Sequence, residues 1–82
     1  MLKDFENYLK NVRKYSLNTI NSYISDINIF LEYLHIQKLN YKDINHEVIR
    51  SYLKYLDEKK YKNSSINRIL SSLNDYYNYL TK

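Results

Sequence analysis

The chain has 82 residues, a net charge of +4 from thirteen basic and nine acidic side chains, and neither glycine, proline nor cysteine. A chain this short makes one domain, residues 1–82, that buries only about 60 to 65% of the surface its unfolded form exposes, and without cysteine it has no disulfide framework or thiolate metal site. No segment approaches the ~20 apolar residues of a membrane span and MLKDFENYLK mixes lysines with acids where a signal peptide has an apolar run, so a cytoplasmic location without a membrane partner is expected.

With the helix-breaking residues absent and Leu and Ile recurring at helical spacing, an all-α domain is predicted. The first helix is expected over about 2–14, with Leu2, Phe5, Leu9 and Val12 on one face. The second is expected over about 17–35, capped by Ser16 or Asn18, with Ile20, Tyr23, Ile24, Ile27, Phe30, Leu31 and Leu34 as its apolar stripe. IQKLNYKDI forms the long connection. Asn45 then caps a third helix over about 45–60, where Ile44 can staple onto Ile49 and where Ile49, Tyr52, Leu53 and Leu56 turn inward. After the basic loop KKYKN, Ser64 or Ser65 is expected to cap a fourth helix over about 64–81, striped by Ile66, Ile69, Leu70, Leu73, Tyr77 and Leu80.

Helices two and four share a partial repeat. Aligned at an offset of 46, residues 18–34 and 64–80 carry the same residue at 20/66, 21/67, 25/71, 28/74, 33/79 and 34/80. Their outer positions Asn18, Thr19, Asn21, Ser22 and Ser25, against Ser64, Ser65, Asn67, Arg68 and Ser71, are short and uncharged except for Arg68. The outer faces of helices one and three are charged. The abundance of Asn, Tyr, Ile and Lys suits an AT-rich genome, but a genome-wide bias acts on every helix alike and does not produce this alternation. Ser, Thr and Asn inside a helix each cost up to ~0.7 kcal/mol relative to Ala, and capping offsets that only at the helix starts.

Short hydroxyl and amide side chains near a helix N-terminus suit phosphate, Asn suits adenine edges, and Arg suits guanine. A helix with such a face can lie deep in a groove while basic residues at its rim supply attraction. Lys60, Lys62 and Arg68 have that placement, with Lys59 beside them; the pattern suits duplex DNA, and it equally suits plain capping and surface positions of a helical bundle, since no local motif separates the two. Arg68 is expected to be a free rim cation, so that Arg68→Ala weakens DNA binding and leaves thermal stability little changed.

The run S-L-N-T-I-x-S-Y-x-x-D-I-x-x-F-L-x-Y-L, then I-x-x-Y-L-x-Y-L, then S-S-I-N-R-x-L-S-S-L-x-x-Y-Y-x-Y-L resembles the N-terminal core-binding, SAM-like domain of tyrosine recombinases such as phage integrases and Xer-type enzymes. The resemblance spans about Phe5 to Leu80. It implies a four-helix orthogonal bundle forming half of a clamp on DNA, with helices two and four toward the major groove and other recombinase protomers as partners. By position it implies DNA contacts at Asn18, Thr19, Ser22, Ser65 and Arg68, and a structural Asp26. Such proteins often place Arg or Lys beside that aspartate, where this chain has Ser25.

The family's catalytic residues, an Arg, a Lys, a His-x-x-Arg element and a nucleophilic Tyr on a second domain, match nothing here, so no catalytic residue, cofactor or small-molecule substrate is expected. Tyr8, Tyr23, Tyr33, Tyr52, Tyr55, Tyr76, Tyr77 and Tyr79 read as core or boundary residues whose hydroxyls reach the rim. His35 and His46, far apart and without a carboxylate cluster, do not make a metal site. The alternative reading is a helical protein-interaction module whose Tyr-rich face docks a partner without DNA.

Overall fold

Ser16 starts the central helix by accepting a hydrogen bond from the Thr19 N–H at 3.3 Å, and Asn45 starts the third in the same way, accepting from the Val48 N–H at 3.0 Å. The computed structural model describes residues 2–81, without the side chain of Tyr41. Its elements are α1 (Lys3–Asn11), α2 (Leu17–Ile36), a single 3-10 turn (Tyr41–Asp43), α3 (His46–Glu58) and α4 (Asn63–Leu80), with no strand among the described residues. The four helices follow the predicted order. Ile44 and Ile49, the expected staple at the start of α3, are both buried.

Two local expectations are corrected. α1 ends at Asn11, because the Arg13 N–H reaches back to the Tyr8 carbonyl and the Tyr15 N–H to the Leu9 carbonyl, both at 3.1 Å, which opens the last turn. Val12 therefore leaves the core stripe and is 60% exposed. α4 is not capped by Ser64 or Ser65. The preceding turn closes early, with Lys60 N–H on the Asp57 carbonyl at 3.0 Å and Tyr61 N–H on the Leu56 carbonyl at 3.2 Å, so Lys62 occupies the N-cap position and the two serines fall in the first helical turn.

Each of the three turns that end α1, α2 and α3 passes through one left-handed residue, and each is a lysine: Lys14 (φ 56°), Lys38 (φ 60°) and Lys60 (φ 64°). Glycine is the usual occupant of such positions. In its absence the lysine Cβ crowds the following carbonyl at a cost of roughly 1 kcal/mol each. After α2 and α3 the turn is held by paired bonds to the last helical carbonyls, Lys38 N–H to His35 and Leu39 N–H to Leu34 matching the bonds at Lys60 and Tyr61.

The core is built twice. Phe5 and Tyr8 of α1 stack at 16° and 6.2 Å, and Tyr52 and Tyr55 of α3 stack at 19° and 6.1 Å. The first pair packs on Tyr76 and Tyr79 of α4, with Phe5–Tyr76 at 5.1 Å and Tyr8–Tyr79 at 5.2 Å. The second packs on Phe30 and Tyr33 of α2, with Tyr52–Phe30 at 4.9 Å and Tyr55–Tyr33 at 4.9 Å. Residues 30 and 33 correspond to 76 and 79 at the offset of 46, whereas Leu2, Phe5, Tyr8 and Leu9 correspond to Ile49, Tyr52, Tyr55 and Leu56 at 47. One residue fewer in the second turn hides the full repeat from a gapless alignment. The molecule is thus two α-hairpins related by an approximate two-fold axis, each outer helix setting its aromatic rings on the inner helix of the other hairpin, with α2 against α4 as the most extensive helix contact.

All eight tyrosines predicted for the core or its boundary are buried or half-buried. Tyr76 rather than Tyr77 reaches the interior of α4, while Tyr23, expected in the core, is half-buried with its ring edge on Tyr15 at 5.4 Å.

Lys62 has φ −68° and ψ 148°, close to the φ −66° and ψ 159° of the capping Ser16. Lys62→Ser supplies the missing acceptor and is expected to add about 1 kcal/mol, raising the thermal midpoint by roughly 4 to 8 °C in a circular-dichroism melt; an unchanged midpoint would rule out the position as a cap. Burial pushes the Tyr52 phenol well above the ordinary tyrosine value. The folded state keeps that proton where the unfolded chain has lost it, so this contribution is complete below about pH 10 and declines as pH rises further. Urea titrations on either side of about pH 10 should show a shallower decline for Tyr52→Phe than for the parent chain.

Candidate nucleic-acid interface

The crossing of α2 and α4 is organised by one carboxylate. Asp26, 4% exposed, accepts two hydrogen bonds from the Arg68 guanidinium, from Nη2 at 2.9 Å and Nε at 3.1 Å, and a longer one from Ser72 Oγ at 3.4 Å. These bonds, then the charge attraction, hold the Arg68 guanidinium above its ordinary value. Asp26 and Ser72 are themselves a matched pair at the offset of 46, so the approximate two-fold axis passes between them.

Around the circumference of each inner helix the order is the same. On α2 the buried stripe of Ile20, Ile27, Phe30 and Leu34 gives way to half-buried Thr19 and Ser22 beside Asp26, and then to exposed Asn18, Asn21, Ser25 and Asn28. On α4 the buried Ile69, Leu73 and Tyr76 give way to half-buried Ser65 beside Arg68 and Ser72, and then to exposed Ser64, Asn67, Ser71 and Asn74. Because the two seams face each other with the core beneath them, both uncharged stripes lie on the same outer surface. From Asn18 to Asn28 the stripe runs about 15 Å.

The electrostatics follow the alternation in the sequence. α1 and α3 carry acids in their first turns, Asp4 and Glu6 in one and Glu47 in the other, while α2 and α4 carry none. Asp75, on α4, is engaged from the first turn: Arg13 donates to the Tyr15 hydroxyl at 2.8 Å, that hydroxyl donates to Asp75 at 2.8 Å, and Arg13 lies 3.5 Å from the same carboxylate. Lys60 and Lys62 are exposed in the turn before α4, whereas Lys59 lies 5.4 Å from the centre of the Tyr55 ring. Among the described residues no group of three His, Cys, Asp or Glu could hold a metal ion, and no helix is long and apolar enough to cross a membrane.

The description "phage integrase, N-terminal SAM-like domain" matches residues 2–82. The chain belongs to this family. Among its relatives are a tyrosine recombinase of Pseudothermotoga lettingae, 35% identical over 98% of this chain and 29% of the relative, and tyrosine recombinase XerC of Leptospira interrogans, 41% identical over 98% and 26%. Tyrosine recombinase XerD of Shewanella oneidensis is 40% identical over 77% of this chain and 21% of the relative. The chain thus spans between a fifth and three tenths of the length of these relatives. No solved structure gives a significant match.

Apart from Arg68, the residues expected to contact DNA fall into three groups in the structure. Asn18, Asn21, Ser25, Ser64, Asn67 and Ser71 share one exposed surface with Asn28 and Asn74; Thr19, Ser22 and Ser65 are half-buried at the seam; and Lys60 and Lys62 stand in a turn. Asn28 and Asn74 were legible as an identical pair in the repeat, while Ser72 gave no signal, being a serine on the edge of an apolar stripe.

Arg68 departs from the expectation of a free cation. Its side chain is 49% exposed, yet it carries the hydrogen bonds that allow Asp26 to be buried. Stability is therefore expected to depend on it. Arg68→Ala leaves a carboxylate in the interior without its cation, an effect that reaches 3–5 kcal/mol in fully buried pairs and is set here at about 2–3 kcal/mol by the half-exposed arginine. Asp26→Ala frees an arginine that can turn to water and should cost less. Urea titrations of the two variants test that order, and equal losses near zero would contradict the structural role.

Proposed function

We propose that this domain holds duplex DNA for a site-specific tyrosine recombinase, with the outer surface of α2 and α4 laid on the major groove. The observation that carries the reading is the pair of stripes of short uncharged side chains, Asn18 to Asn28 and Ser64 to Asn74, flanking one seam on helices with no acid in their first turns. Short side chains let the helix backbones approach base edges, and the first-turn N–H groups of α2 and α4 meet no competing carboxylate. Asn18, Asn21 and Asn67 are suited to adenine, and the Ser25, Ser64 and Ser71 hydroxyls to bases or phosphate. Thr19, Ser22 and Ser65 border the seam. Arg68 has donors left over after its two bonds to Asp26, and Lys60 and Lys62 add salt-dependent attraction.

In this reading the partners are duplex DNA and further recombinase protomers, in the cytoplasm, and the strand chemistry belongs to a catalytic domain of the parent protein. Binding by the isolated domain is expected to be weak, roughly 10⁻⁴ to 10⁻⁶ M at physiological salt, and to fall steeply as salt rises. Fluorescence anisotropy of a labelled duplex measures this. Asn21→Asp with Asn67→Asp, which keeps side-chain size and adds two negative charges to the surface, should weaken binding by about tenfold or more at low salt. No response to about 100 μM protein at low salt, against the affinities expected of non-specific contacts, would end the reading.

A further inference from the structure

The two-fold axis that relates the hairpins also relates their first turns, and this gives the DNA-binding reading, on which the present inference rests, a definite geometry. Arg13-Lys14-Tyr15 before α2 and Lys59-Lys60-Tyr61 before α4 correspond at the offset of 46, and the middle lysine of each is left-handed, at φ 56° and 64°. In both turns the first basic residue is engaged within the protein. Arg13 is bound to Tyr15 and Asp75, and Lys59 lies over the Tyr55 ring. Lys14 and Lys60 are exposed and form no salt bridge or ring contact among the described residues. Each stands just before the helix that carries an uncharged stripe, and the axis passes between them at the Asp26–Ser72 contact.

We propose that the domain sits astride a local two-fold axis of the duplex, so that Lys14 and Lys60 contact phosphates on opposite strands. B-DNA has such an axis through each base pair and each step, and across the major groove, about 12 Å wide, the two rims belong to different strands. A protein surface with its own two-fold axis makes equivalent contacts to both rims when the axes coincide, as dimeric DNA-binding proteins do with two chains. Here one chain supplies both halves. The symmetry is broken where Arg68 stands opposite Ser22, which gives the two half-faces different donors and the bound duplex a direction.

The chain has no cysteine, so Lys14→Cys and Lys60→Cys each create one attachment point for an iron–EDTA cleaving group. The probe is a duplex selected from a random-sequence pool by the unmodified chain. Cleavage by the two conjugates should fall on opposite strands, at positions mirrored about a single point. Cleavage of the same strand by both, or by one conjugate only, overturns the two-fold arrangement while leaving DNA binding intact; failure of the chain to retain any duplex overturns the DNA reading itself. Lys14→Gly and Lys60→Gly provide a second measurement without endangering the fold, since glycine suits the left-handed position. Each should lower the slope of log K against log salt by about 0.9, and the double variant by twice that, with the thermal midpoint unchanged or higher. A slope altered by Lys60→Gly alone would also overturn the arrangement.

Discussion

The buried carboxylate of Asp26 is the constraint around which the domain is arranged. A charge taken out of water is stable only where donors replace the lost hydration. Here they come from one helix, Arg68 with a two-bond fork and Ser72 with a hydroxyl. Those donors fix both the rotation and the register of α4 against α2. Once that crossing is set, the core falls beneath it and the uncharged stripes above. Lysine could not replace Arg68 equally, because its point charge cannot offer the carboxylate two parallel bonds.

The outer helices complete what the crossing begins. α1 and α3 bury no ion pair among the described residues; each instead presses two stacked aromatic rings onto two more from the inner helix of the opposite hairpin. This exchange ties each hairpin to the other, so neither half has a complete core alone. It also accounts for the many tyrosines. Their rings supply apolar area and edge contacts, while their hydroxyls sit near the surface, which suits a domain too small to enclose many large side chains.

The hairpin turns show a chain working without glycine. Three lysines take left-handed positions that glycine would fill with less strain, and the turns are kept in place by bonds to the last helical carbonyls. Strain of this size is tolerable where packing on both sides fixes the path of the chain. Two of these lysines stand at the starts of the helices that bear the candidate DNA surface, where positive charge is least expected from helix dipoles. Local stability and the proposed function therefore pull in different directions at the same turns.

Composition and periodicity alone specified four helices, most of the buried stripe and the uncharged character of α2 and α4, because each depends on residue type and on a spacing of 3.6. The identical pairs at an offset of 46 already marked the two inner helices as related. Tertiary structure decided what spacing along the chain does not encode. It showed that α1 and α3 are also repeats, hidden by a one-residue difference in their turns, that Val12 leaves the core where α1 unwinds, and that Lys62 stands where a cap was expected at Ser64 or Ser65. Above all it decided the role of Arg68. Two residues 42 positions apart have no local signature of pairing, and only the crossing of their helices brings a guanidinium onto a carboxylate that must not be left alone.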